Sequence, residues 1–180
     1  TAGIVDIKTG TIVHSAPMIP DYTGTEFKKV LENRFRIPCE VENDVNCAGL
    51  AEYHSGAAMG RRLILMLTVG TGIGGSIVMD GEIFRGISGS ACEVGYMNLP
   101  GGDFQTLGAA SILGRKVSEW KKEPIERWNG YHIFEAAKKN DELCIRAIDE
   151  MTDVLGQGIA NICYVLNPEI VVLGGGIMEQ

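Results

Sequence analysis

The sequence predicts an α/β protein, and three observations carry that expectation. Apolar runs at Leu63–Val69 and at residues 170–173 have the length and β-branched content of strands buried on both faces. Residues 141–166 keep one apolar stripe at helical spacing, formed by Cys144, Ile148, Met151, Leu155, Ile159, Ile162 and Leu166. Strands joined by short turns come first, helices follow, and a parallel-type strand ending in glycines comes last, an order that suits a sheet covered by helices.

In chain order, residues 2–7 and 11–14 read as two strands joined at Lys8-Thr9-Gly10. Residues 17–24 form a loop, marked by two prolines and Asp-Tyr-Thr-Gly. Residues 25–34 predict an amphipathic helix capped by Thr25, with Phe27, Val30, Leu31 and Phe35 at helical spacing. A short strand is expected at residues 37–41, and Asn43 or Asp44 is a natural N-cap for a helix running to about Tyr53. The strand at Leu63–Val69 breaks into Gly70-Thr71-Gly72-Ile73-Gly74-Gly75 and resumes at residues 76–79. Asp80-Gly81 is the strongest two-residue hairpin signal and returns the chain as a third strand at residues 82–85. Residues 86–95 are a Gly- and Ser-rich loop, and residues 99–103 a turn. Asp103 caps a helix to about Trp120, and residues 121–130 are a polar connection. A short helix at residues 131–139 stops at Asn140, and the long helix at residues 141–166 is ended by Asn167-Pro168. Gly156 and Gly158 inside it each weaken it by roughly 1 kcal/mol relative to alanine, which predicts close packing at both.

A chain of 180 residues can bury a sizeable core, and 45% hydrophobic with 22% charged residues is ordinary for a soluble globular protein. The net charge of −7 argues against a nucleic-acid or anionic-membrane surface. No apolar run approaches the ~20 residues of a membrane span, and no signal-peptide pattern is present. The five cysteines are odd in number and never at CxxC spacing, which predicts reduced thiols in a cytoplasmic protein. Thr1 begins inside a strand pattern and the last strand runs into Gly174-Gly175-Gly176 with no crossover after it, so the chain is expected to be part of a longer protein.

Three stretches are candidates for chemistry. Four glycines in the six residues 70–75 let the backbone take positive φ and leave no Cβ over the amides, as in nests that hold phosphates; the alternative is a tight hairpin whose glycines serve only its own turn. The spacing is not GxGxxG, and the loop opens a strand rather than a helix. Asn43-Asp44 is either a helix cap alone or a carboxylate at a strand-to-helix junction, where α/β folds bind ligands and where it could act as a base. Glu93, between small residues, is a solvated loop charge or a ligand contact.

Three segments together, ENDVNCAGLAE at residues 42–52, LTVGTGIGGSIVMDGEIFRG with ACEVGY at residues 67–96, and LNPEIVVLGGGI at residues 166–177, resemble the ROK (repressor, ORF, kinase) family of sugar kinases and sugar-responsive repressors. The resemblance implies the ribonuclease-H-like, actin-like ATPase fold, with residues 1–42 the later part of a small lobe and residues 43–180 most of a large lobe. It implies an ATP- and Mg2+-dependent kinase for a hexose or N-acetylhexosamine, phosphorylated at the 6-hydroxyl, in a homodimer. On this template Asp44 is the catalytic base, and Gly3, Asn43, Glu93, Tyr96 and Gln105 bind the sugar. Gly70, Thr71, Gly72 and Gly74 form the second phosphate loop, and Gly175 and Gly176 lie beside the adenosine. Many members have a zinc-binding histidine where this chain has Tyr96, and a cysteine cluster just after it. Both are absent here, so a zinc-free variant is expected. The family's first phosphate loop and closing helix have no counterpart in these residues, so the chain alone is not expected to be an active kinase. The alternative is the sugar-sensing part of a ROK repressor.

Overall fold

The computed structural model of the chain describes residues 1–15 and 19–179, so the loop expected at residues 17–24 falls partly outside the described residues, at Pro17 and Met18. Ile4–Asp6 (β1) and Thr11–His14 (β2) pair antiparallel. Their turn is closed by the Asp6 carboxylate, which accepts from the Lys8 amide and the Thr9 hydroxyl. The helix Phe27–Phe35 (α1) follows. Thr25 does not cap it: its hydroxyl donates to the Tyr22 carbonyl, and Glu26 takes the N-cap position without a side-chain bond. Phe27 joins Val5, Ile12 and Val41 in a small core, whereas Val30 and Phe35 are 59% and 61% exposed. The strand expected at residues 37–41 does not form. A strand needs a ladder partner, and here the Cys39 amide is held by the Glu32 carboxylate instead.

Asp44–Ser55 (α2) leads to the strand Leu63–Val69 (β3), which turns back as Ile73–Met79 (β4) and then as Glu82–Ile83 (β5). Asp80 and Gly81 between β4 and β5 have φ of 49° and 90°, the two positive values that an Asp-Gly hairpin turn needs. β4 begins at Ile73 rather than at Ser76, so Gly74 and Gly75 are ladder residues opposite Thr68 and Leu67. A short hairpin of Asn98–Leu99 (β6) and Gly102–Asp103 (β7) precedes Phe104–Gly108 (α3) and Ala110–Lys121 (α4). One helix was expected here; Ala109, extended at ψ 152°, divides it into two. Gly130–Ala137 (α5), Glu142–Leu166 (α6) and Ile170–Gly174 (β8) complete the order. Asp103, Asn129 and Asp141 cap α3, α5 and α6 by accepting a backbone amide each, and Asn167 ends α6 at φ 49°.

The main sheet runs β5-β4-β3-β8, with β8 parallel to β3 and the other pairs antiparallel. On β3, Ile64 and Met66 face a core with Val78, Ile83, Val172 and the α2 residues Leu50 and Tyr53. Leu65, Leu67 and Val69 face the larger core, which holds Phe104, Leu113, Ile133, Met151 and Leu155. Alternate residues serve opposite faces, and because both faces are covered the strand reads as an unbroken apolar run. No helix among the described residues is long and apolar enough to cross a membrane.

The two glycines of α6 have different reasons. A Cβ on Gly158 would stand 2.8 Å from Cδ2 of the fully buried Phe104 and closer still to two other ring atoms. A Cβ on the exposed Gly156 would meet nothing within 4 Å, so packing does not account for that one. Gly158→Ala is therefore expected to destabilise by about 1–3 kcal/mol. Gly156→Ala is expected to stabilise by about 0.5–1 kcal/mol. Both are read from urea-unfolding midpoints at unchanged m-value.

Candidate active site

The β1–β2 hairpin, the start of α2, the β3–β4 turn and residues 92–96 meet around a cleft of about 600 Å³. Its lining includes Gly3, Asn43, Asp44, Gly70, Thr71, Gly72, Gly74, Glu93, Tyr96, Gln105 and Gly175. Of the site residues that the family resemblance assigns, Gly176 lies outside the lining; it opens a short 3-10 turn, Gly176–Glu179.

Asn43 is the cap of α2. Its Oδ1 accepts from the Val45 and Asn46 amides at 2.9 and 3.1 Å, and its Nδ2 donates to the Gly3 carbonyl at 3.0 Å. That leaves the side chain one N–H for a ligand. Gly3 is at φ 82°, and a Cβ there would lie 2.5 Å from the His14 carbonyl oxygen. Since Asn43 does the capping, Asp44 is relieved of it. Asp44 is exposed on the first turn, where the helix dipole favours a negative charge. Its Oδ1 accepts from the Val45 amide at 3.1 Å, and its Oδ2 has no partner among the described residues.

The β3–β4 turn is Gly70-Thr71-Gly72 alone. None of Gly70, Gly72, Gly74 or Gly75 has positive φ, contrary to the expectation from the sequence. Space is what they supply. A Cβ on Gly74 would stand 2.7 Å from Val45 Cγ2, and one on Gly75 2.6 Å from Cys92 Sγ. One on Gly72 would stand 2.8 Å from Gln105 Oε1, and one on Gly70 would meet no atom within 4 Å at the cleft wall. The Gly70 amide donates to the Gly72 carbonyl, and the Ser111 hydroxyl to the Thr71 carbonyl. Among the described residues the Thr71 and Gly72 amides have no acceptor, so two donors remain for an anion. Gly175, at φ 104°, comes so close to Val69 that a Cβ would touch its backbone nitrogen at 3.0 Å.

Glu93 as a residue is exposed, yet desolvation of its carboxyl pushes its pKa up; His14 opposes the rise and Asp44 adds to it. Beside it, burial pushes the Cys92 thiol up to about 12, which leaves it an inert wall of the cleft. Tyr96 is 59% exposed at the rim. The Gln105 carboxamide borders Gly72 and Gly95, so it touches the glycine turn. His14, Ser15, Thr68 and Cys92 also line the cleft and were not singled out from the sequence. A lone histidine at the end of β2 carries no pattern; the docking of that hairpin beside residues 42–44 brings it here.

The ROK family's sequence profile matches residues 1–180. The chain belongs to the ROK family. It is 46% identical over 180 residues to an uncharacterised protein of Clostridium perfringens, covering all of this chain and 61% of that protein. It is 32% identical over 199 residues to a glucokinase of Halalkalibacterium halodurans, covering 98% of this chain and 60% of that enzyme. A ROK family glucokinase from Streptomyces griseus, solved in complex with glucose and AMPPNP, superposes with a TM-score of 0.88 at 28% identity, over 99% of this chain and 64% of that one. The fold is thus the actin-like ATPase fold of ROK sugar kinases. A xylose repressor of Caldicellulosiruptor bescii is also similar, at 26% identity over 195 residues, with 96% of this chain and 48% of the repressor covered. The chain therefore spans about three fifths of the kinase-sized relatives and about half of the repressor.

Because the folded-state pKa of Glu93 lies above its unfolded value, ionising it costs stability. The cost grows as pH rises from the ordinary value of 4.5 through the raised one, and it vanishes below the ordinary value, where both states are protonated. Glu93→Gln is expected to raise the thermal midpoint at neutral pH and to leave it unchanged near pH ~4, as read by calorimetry across a pH series.

Proposed function

We propose that this chain is the sugar- and phosphate-handling part of an ATP-dependent kinase for a hexose or N-acetylhexosamine, with residues 1–42 in a small lobe and residues 43–180 in a large one. The reading goes with a homodimer in the cytoplasm. The observation that carries it is that the unpartnered Asp44 Oδ2 and the open Thr71 and Gly72 amides border one cleft. A base and an anion cradle are the two things phosphoryl transfer asks of a protein, because the chemistry needs positioning and charge stabilisation more than covalent help.

In this reading the sugar lies between Asn43, Glu93 and Gly3, with Tyr96 at the rim. Asp44 accepts the proton of the 6-hydroxyl while the hydroxyl oxygen forms a bond to the γ-phosphorus. The bond from that phosphorus to its bridging oxygen breaks, its electron pair leaves with ADP, and solvent later takes the proton from Asp44. The Thr71 and Gly72 amides hold phosphate oxygens, and the missing side chain at Gly70 leaves room for them. Gly175 brings the backbone close to the nucleotide. Magnesium fits as the companion of the phosphates, since it keeps several waters and needs only one or two carboxylates. Among the described residues no group of three or more His, Cys, Asp or Glu could hold a metal ion.

A second reading, a sugar-sensing domain of a regulator, is favoured by the repressor relative. Coupled ADP release by the full-length protein decides between them, with magnesium and a panel of glucose, mannose, N-acetylglucosamine, N-acetylmannosamine and a β-glucoside. Turnover on one sugar is expected, and Asp44→Asn is expected to lower it by ~10³ with sugar affinity kept. Sugar binding without turnover in the unaltered protein would favour the regulator.

A further inference from the structure

Glu42 lies behind the cleft, and nothing in the proposed chemistry uses it. Its side chain is 16% exposed and that of Arg85 30%. The Glu42 carboxylate accepts from the Asn43 amide at 2.7 Å, from Asn46 Nδ2 at 2.9 Å and from the Arg85 guanidinium at 2.5 Å. The first two bonds reach the cap and first turn of α2, which carry Asn43 and Asp44. Arg85 is anchored on the other side. Its guanidinium donates to the Ile83 carbonyl, and its own carbonyl accepts from the Ala91 amide, closing the loop that leads to Glu93. Its Nε is buried and has no partner among the described residues. Glu42 and Arg85 share a chamber of about 20 Å³ with Gly3, Asn43, Gly75 and Glu93, all four of which also line the cleft. Chamber and cleft are two sides of one wall.

We propose that the Glu42–Arg85 ion pair is a positioning device for the sugar half of the cleft, holding the Asn43–Asp44 turn and the Glu93 loop at a fixed separation. The inference rests on the reading of the cleft as a sugar kinase site. Burial by itself would raise the Glu42 pKa, but the bonds from Asn46, Arg85 and the Asn43 amide hold it below the ordinary glutamate value, so the pair stays ionised at neutral pH. Removing either partner strands a half-buried charge, which then moves toward water and drags its element with it. The glycine turn is held separately, by the β3–β4 ladder and by Ser111, so the nucleotide side does not depend on the pair.

The test compares Arg85→Met, Arg85→Lys and Glu42→Gln with the unaltered full-length protein. Amide hydrogen exchange at Val45 and Asn46, whose N–H groups the Asn43 cap holds, is measured without ligand. Sugar KM and ATP KM are measured separately. The expected result is exchange roughly 10-fold faster at both amides in Arg85→Met, with Arg85→Lys intermediate. Sugar KM is expected to rise roughly 10-fold while ATP KM stays within about twofold. Unchanged exchange at these amides, or sugar and ATP KM rising together, would overturn the proposal. If Arg85→Met does not fold, Glu42→Gln, which keeps an acceptor for the Asn43 amide, carries the same comparison. An unaltered protein that phosphorylates no sugar would sink the kinase reading, and the ligand-free exchange would still decide this one.

Discussion

The cleft depends on how closely other segments approach β4. Gly74 and Gly75 present no Cβ, so Val45 of α2 lies against one and Cys92 against the other. Further along the strand the relation is reversed. There it is Gly49 of α2 that makes room, and a Cβ on it would stand 2.7 Å from the buried Ser76 hydroxyl. These contacts seat the first turn of α2 beside the β3–β4 turn and bring the Glu93 segment to the same strand. Larger residues at positions 74 and 75 would lift both away, and the cleft would lose two of its walls. The glycines are spatial requirements more than conformational ones.

The two carboxylates of the cleft stand in different surroundings. Asp44 is exposed on a helix N-terminus with one oxygen uncommitted, while Glu93 is partly desolvated and has its pKa pushed up. Two carboxylates that line one cleft need not share an environment, and here they do not. Asn43 joins them mechanically. By capping α2 and donating to the Gly3 carbonyl, it ties the β1–β2 hairpin to the large sheet's helix with a single side chain.

Much of this was legible in the sequence where local chemistry is decisive. The Asp80-Gly81 turn, the cap at Asp103, the stop at Asn167 and the strand at Leu63–Val69 depend on a few adjacent residues, and each was found where its pattern put it. Three readings failed. Thr25 bonded backward to Tyr22, residues 37–41 found no ladder partner, and Ala109 broke a helix that periodicity alone would have continued. In each, propensity and period named a conformation that the backbone then left, for a nearby bond at Thr25 and Cys39 and for an extended residue at Ala109.

The same division runs through the site. Residue type and order by themselves determined the α/β class, the family, and which glycines, asparagine and carboxylates to look at, because caps, turns and apolar periods are short-range properties of the chain. Only the tertiary structure decided that Asn43 rather than Asp44 is the cap, that Gln105 borders the glycine turn, and that His14 and the Glu42–Arg85 pair stand at or behind the cleft. Apart from the choice of cap, those facts depend on contacts between segments far apart in the chain, such as Gln105 with Gly72, Asn43 with Gly3 and Glu42 with Arg85. Such separations are set by the register of the sheet and by the packing of helices on it.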